Sequence, residues 1–251
     1  MKRFTLVLIA AISLCLSFSA SAQTAATYLV SNPKTAKWSY VETDAKGKTI
    51  ATQYHSVETL NGDGINGSLK LRVEEISATS PSDTLKSFIF YRFKDGEYMV
   101  DMNAVFEDDV LESFVKSAME DEKEEISEED MKEAMDKMRA EFKISGEIRG
   151  IPRYPKVGNL PDYEFQFKFS ILSMKVIGED RRIVGTEKIV TDAGTYDCFI
   201  IEETITTKAI MMKEVEKVKT WFSYGIGMVK EVTYDKNGKV MSTMLLNSVN
   251  W

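Results

Sequence analysis

The chain has little of what most catalytic chemistry requires. One of its 251 residues is histidine, His55, and two are cysteines, Cys15 and Cys198. A single imidazole excludes a two-histidine metal centre, and any histidine-dependent triad would rest on His55 alone. His55 follows Tyr54 in a strand-like stretch with no nucleophile signal beside it. Cys198 lies in "YDCFII", with Asp197, Glu202 and Glu203 as its nearby charges. That setting suits a small core residue, because a reactive thiolate needs exposure and a positive neighbour. There is no G-x-S-x-G, no P-loop and no dinucleotide-binding glycine pattern, so the sequence signatures of those hydrolases and nucleotide enzymes are absent. No spacing of carboxylates singles out an acid and a base.

Long hydrophobic runs are scarce as well. The one near the start, Phe4 to Phe18, follows Lys2 and Arg3 and closes in Ala20-Ser21-Ala22 before Gln23. It is too short for a membrane span and has the order of a secretory signal peptide with cleavage near Ala22. Cys15 could mark a lipoprotein, but the residue before it is Leu14 rather than a small one. Cleavage after Ala22 discards Cys15 and leaves Cys198 without an internal disulfide partner. The formal charge of −7 becomes two units more acidic when Lys2 and Arg3 are lost. Nucleic acid and anionic headgroups are therefore poor partners for its general field. The expectation is a signal peptide over 1–22 and a single β-domain over 23–251, soluble in the periplasm or at the cell surface, with no transmembrane segment after cleavage.

What is present is turn chemistry between two-faced strands. "YVETDAKGKTIAT" near the start and "EVTYDKNGKVMST" near the end each place Asp three residues before Gly, at Asp44/Gly47 and Asp235/Gly238. Asp opens a type I turn and Gly supplies the positive φ after it, the makings of a hairpin tip. A third tip is Asp95-Gly96, and a fourth turn-rich stretch runs from Asn61 to Gly67. Successive hairpins predict an antiparallel sheet. In "YEFQFKFSI" the odd positions Tyr163, Phe165, Phe167, Phe169 and Ile171 are apolar, and then the phase moves to the even positions Leu172, Met174 and Val176. The expectation there is a buried face followed by a bulge or sharp bend. Further strands are predicted over 182–190, 196–207, 215–224 and 227–234.

One stretch breaks the pattern. Residues 107–143 hold 15 acidic and 6 basic residues without Gly or Pro. Val110, Leu111, Phe114, Val115, Ala118 and Met119 recur at helical spacing. After "EDEKEEI", Ser127 restarts the stripe through Met131, Ala134, Met135, Met138 and Phe142. This predicts an insertion of two amphipathic helices, either a lid or part of the core. The acidic run lacks the glycine and ligand order of a calcium loop, so no metal and no cofactor are expected.

These residues resemble a TapB-like family of exported domain-of-unknown-function proteins of Gram-negative envelopes. The resemblance is carried by "KWSYVETDAKGK", "PKVGNLPD", "TDAGTYDCFII" and "WFSYGIGMVKEVTYDKNGKV". It implies an antiparallel fold with a curved sheet similar to that of periplasmic lipoprotein carriers, and it brings no catalytic residues. The fold expected is mainly β, a half-barrel-like antiparallel meander with a two-helix insertion. The function expected is that of a non-enzymatic envelope protein binding an apolar small molecule, a lipid or a protein segment. Tyr163, Phe165, Phe167, Phe169, Met131, Met135 and Met138 are the candidate binding residues. The alternative is a structural or assembly component that works through contacts with an envelope protein partner and has no ligand pocket.

Overall fold

The structure, a computed structural model, describes residues 36–250 apart from 63–65, 83, 96, 102–110, 113–126, 153, 170–171, 210–211 and 224–225. The signal-peptide segment and nearly all of the first expected helix lie outside the described residues. The strands are β1 (Lys37–Asp44), β2 (Thr49–Gly62), β3 (Gly67–Ser77), β4 (Thr84–Lys94), β5 (Glu97–Val100) and, after helix α1 (Glu128–Glu141), β6 (Phe142–Pro152). They continue with β7 (Gly158–Asn159), β8 (Tyr163–Phe169), β9 (Leu172–Thr191), β10 (Gly194–Ala209), β11 (Met212–Ser223), β12 (Gly227–Asp235) and β13 (Val240–Asn250).

All thirteen strands share one antiparallel sheet. Twelve of them follow chain order around a ring, and the ring closes where β13 pairs with β1, from Lys37↔Asn250 to Asp44↔Ser242. The short β7 adds to β9 outside the ring. The fold is therefore a closed up-and-down barrel and not the half-barrel expected. Closure depends on pairing the first strand with the last, and no local pattern encodes that contact.

The repeated sequence makes this seam. Its two copies are the hairpins β1–β2 and β12–β13, and β1 lies against β13, so the tips stand side by side at one end of the barrel. Each tip is built alike. The Asp44 carboxylate accepts from the amides of Lys46 and Lys48 at 2.8 and 2.9 Å. Asp235 accepts from Asn237 and Lys239 at 2.8 and 2.9 Å. Gly47 and Gly238 take φ of +78° and +82°, the left-handed region that favours glycine. Backbone hydrogen bonds, those from Lys48 and Lys239 first, hold both carboxyls below the usual carboxylate range. Away from the tips, Ser39 and Ser248 share a hydroxyl contact of 2.7 Å, and the Tyr40 hydroxyl donates to the carbonyl of Met228 at 3.1 Å.

The phase jump after Ile171, expected as a bulge or sharp bend within the sheet, falls where β8 ends and β9 begins. β8 and β9 form a hairpin with Phe169 opposite Leu172. In an antiparallel pair of this register an odd position on one strand faces an even position on the next. Phe165 thus sits across from Val176 and Phe167 across from Met174 on the same inner face. Gly178, opposite Tyr163, leaves room for that ring, and a Cβ there would meet its carbons. Gly178→Ala is expected to cost about 1–3 kcal/mol through overpacking, read as a lowered urea midpoint with an unchanged slope.

Among the described residues α1 is the one full helix, where two were expected; Leu111 and Glu112 are also helical. The Ser127 side chain caps α1 by accepting from the Asp130 amide at 3.1 Å, and Glu128, Glu129 and Asp130 complement the first turn. Phe142, read from the sequence as the end of the helical stripe, is already extended and begins β6.

The interior is filled from nearly every strand: Trp38 and Tyr40, Leu69, Leu71 and Val73, Tyr91 and Phe93, Ile148, Phe165, Val176, Met228 and Leu246 belong to one buried cluster. A second cluster lies on the opposite face of β11–β13. There the outer parts of β9 and β10 bring Ile189 and Cys198 against Trp221, Val229 and Val232, and the Trp221 indole donates to Glu187 at 2.6 Å.

Candidate functional site

Alternation along β8 sends Tyr163, Phe165 and Phe167 into the barrel and leaves Glu164 and Lys168 in water. The stripe of α1 packs on the same buried cluster. Met138 is buried in the same cluster, with Met131, Met135 and Ala134 packed against it. Phe142 stands edge-on to Phe167 with ring centroids 4.9 Å apart. Six of the seven candidate residues are therefore brought together, although four lie on strand or helix positions already buried as core. Phe169 is placed in β8 opposite Leu172, and its side chain lies outside the described residues. Rings of β8 and thioethers of α1 thus share one cluster, and thioethers are unbranched and re-pack at low cost.

The His55 imidazole and the Cys198 thiol are both buried. His55 lies between Trp38 and Tyr40, with ring centroids 5.6 and 5.0 Å away, and its Nε2 is 3.2 Å from the Gln53 amide oxygen. Burial pulls its pKa down to about 3, so the imidazole is neutral throughout the physiological range. Cys198 is buried, and burial, followed by the charges of Asp197 and Glu187, pushes its thiol up to about 12. Among the described residues no group of three His, Cys, Asp or Glu side chains is placed to hold a metal ion. No helix among them is long and apolar enough to cross a membrane.

Polar groups inside the barrel escaped the sequence reading. Arg181 is fully buried on β9; its Nε donates to Glu203 at 2.9 Å, and its Nη1 and Nη2 donate to the carbonyls of Pro161 and Gly150 at 2.6 and 3.3 Å. Its guanidinium lies 4.9 Å from the Tyr163 ring centroid. Towards the paired tips the interior turns acidic. Burial raises the carboxyls of Glu42, Glu75, Glu203 and Glu216, and raises Glu231 to about 8. Glu75 accepts from Gln53 at 2.9 Å and Glu231 from Thr220 at 3.1 Å. The available signal was Glu203 on the same strand phase as Ile201 and Ile205; abundant surface carboxylates obscured it. A cavity of about 700 Å³ lies elsewhere, over β13, β1, β2 and β3 near Trp38 and Tyr54.

Comparison with solved structures finds the same fold twice. A candidate lipoprotein from Parabacteroides distasonis is similar over 87% of this chain and 97% of its own, at 18% identity and a TM-score of 0.60. A candidate exported protein with a YmcC-like fold from Bacteroides fragilis is similar over 88% of this chain and 97% of its own, at 16% identity and a TM-score of 0.59. No curated protein matches the chain. The profile described as DUF3108-like matches residues 33–246 and so takes in the seam hairpins, the aromatic strip and α1. The domain-of-unknown-function family expected from the sequence is thereby found, and the chain belongs to the DUF3108-like family.

Proposed function

We propose that the protein is an exported, non-enzymatic module of the cell envelope that binds an apolar group, a lipid chain or an apolar protein segment, where α1 covers the aromatic strip. The observation that carries this reading is the seating of Met131, Met135 and Met138 on the cluster that holds Tyr163, Phe165 and Phe167. A methionine face is suited to yield to a ligand of similar polarity and to close again without one. Export is supported by the charged start, apolar run and A-x-A of residues 1–22, and by the description of one fold relative as exported and another as a lipoprotein. In this reading one β-domain over 23–251 is released near Ala22, soluble in the periplasm or at the cell surface.

The test is to purify the mature chain from a Gram-negative envelope and examine it by native mass spectrometry. The expected result is a discrete lipid adduct, regained when a fatty-acyl probe is added to delipidated protein. No adduct and no probe binding would sink this reading. An assembly role without a pocket is the second reading. It is favoured by exposed apolar side chains at Tyr154 and Val157, 69% and 70% exposed beside β7. It predicts cross-linking from those two positions to one defined envelope protein.

A further inference from the structure

The cavity over β13, β1, β2 and β3 lies on the outer face of the barrel, apart from the seat under α1. Tyr54 marks that face: its neighbours Gln53 and His55 are buried inside, while Tyr54 itself is 48% exposed. In register, Tyr54 stands between Ser39 on β1 and Glu74 on β3, and Ser56 stands opposite Arg72. The exposed ring therefore has Ser39, a buried hydroxyl paired with Ser248, to one side and a carboxylate to the other. Arg72 is held in place on this face: its Nη2 is 3.3 Å from Glu58, and its guanidinium is 6.0 Å from the Phe88 ring centroid. Lys37, Ser248 and Asn250 complete the wall.

The geometry points to a binding groove for a hydroxyl-rich glycan chain, with the glycan strand of the cell wall as its source; that choice of source rests on the export reading above. A pyranose offers a flat face of C–H groups and a rim of hydroxyls. Tyr54 supplies a flat partner for the first, and short serine and asparagine side chains with fixed charged groups supply donors and acceptors for the second. The charges lining the groove balance, Lys37 and Arg72 against Glu58 and Glu74. A phosphate-rich or nucleic-acid ligand would meet those carboxylates unfavourably. Trp38 and Val57 also line the groove, but most of its lining is polar or charged, which suits an apolar segment poorly. A charge-poor chain of hydroxyls is the occupant that matches.

The probe is chitotetraose, a β-1,4-linked N-acetylglucosamine tetramer, titrated into the mature chain and followed by amide chemical shifts, with maltotetraose as the comparison. Saturable shifts are expected in the outer positions of β1, β2 and β3, and the mature chain should co-sediment with purified sacculi. Tyr54→Ala is expected to weaken binding about tenfold or more, as loss of a stacking anchor does, with an unchanged melting temperature. Arg72→Gln supplies a second, independent loss if the Tyr54 variant is unstable. Absence of saturable shifts up to about 10 mM, beyond the weak end of specific affinity, overturns the groove. Equal binding of maltotetraose overturns the cell-wall source. Neither result touches the seat under α1, which is tested with lipid.

Discussion

Glu231→Gln is expected to raise the melting temperature of the protein, most of all in alkaline solution, and to reduce the fall of stability with pH. Glu231 is 5% exposed on the inner face of β12, with a Thr220 hydroxyl as its hydrogen-bond donor. Burial is the largest cause of its raised pKa; the Thr220 bond opposes it, and Glu203, Glu42 and Glu216 add to it. The group titrates near 4.5 when free and at about 8 when folded. The folded form thus holds the proton more tightly. Its stabilising effect is complete below the free value, declines as pH rises above about 4.5, and is gone once pH passes the folded value near 8. At about 1.4 kcal/mol per pH unit between those values the total is a few kcal/mol, large against a typical folding free energy. Glutamine keeps the shape and cannot ionise. Part of the slope remains in the variant, because Glu42 and Glu75 are also raised by burial. Thermal melts of both proteins from pH 5 to pH 9 check this, and parallel curves would contradict it.

The second large effect is expected from Arg181. Its guanidinium joins β9 to Glu203 on β10 and to the carbonyls of Pro161 and Gly150. Burial raises the Glu203 carboxyl and the Arg181 charge pulls it back down. Arg181→Met removes three donors and leaves a buried carboxylate with no cation, a change that costs about 3–5 kcal/mol. The double variant Arg181→Met, Glu203→Leu removes the stranded charge too. It is expected to be more stable than the single arginine variant, with equilibrium urea unfolding as the readout. A double variant less stable than the single one would mean that the two side chains act separately and not as a pair.

The legible part of this fold was the part written in neighbouring residues. Tips at Asp44 and Asp235 and the alternation of Tyr163, Phe165 and Phe167 depend on contacts a few residues apart, and local chemistry determines them. Closure depends on Lys37 meeting Asn250, and nothing near either residue announces it. The misread segment after Ile171 is instructive, since an odd-to-even shift of apolar positions is what a two-residue reversal produces as well as what a bulge produces. Knowing the partner strand decides between them. The methionine stripe of α1 was readable by spacing, and so was its packing on something apolar; which strand it would meet was not. The buried acids were hidden for a physical reason. Glu203 and Glu231 look like any solvated strand glutamate until the barrel closes and removes the water.

Methyl NMR reads out whether the methionine face of α1 and the aromatic strip of β8 form a seat for an apolar group. Methionine methyls are labelled in the delipidated mature chain and a fatty-acyl ligand is added. The Met131, Met135 and Met138 signals are expected to shift together with saturation, while those of Met212 and Met241, exposed and outside the buried cluster, stay in place. Binding that moves only the exposed methionines, or that leaves all five unchanged, would contradict the seat.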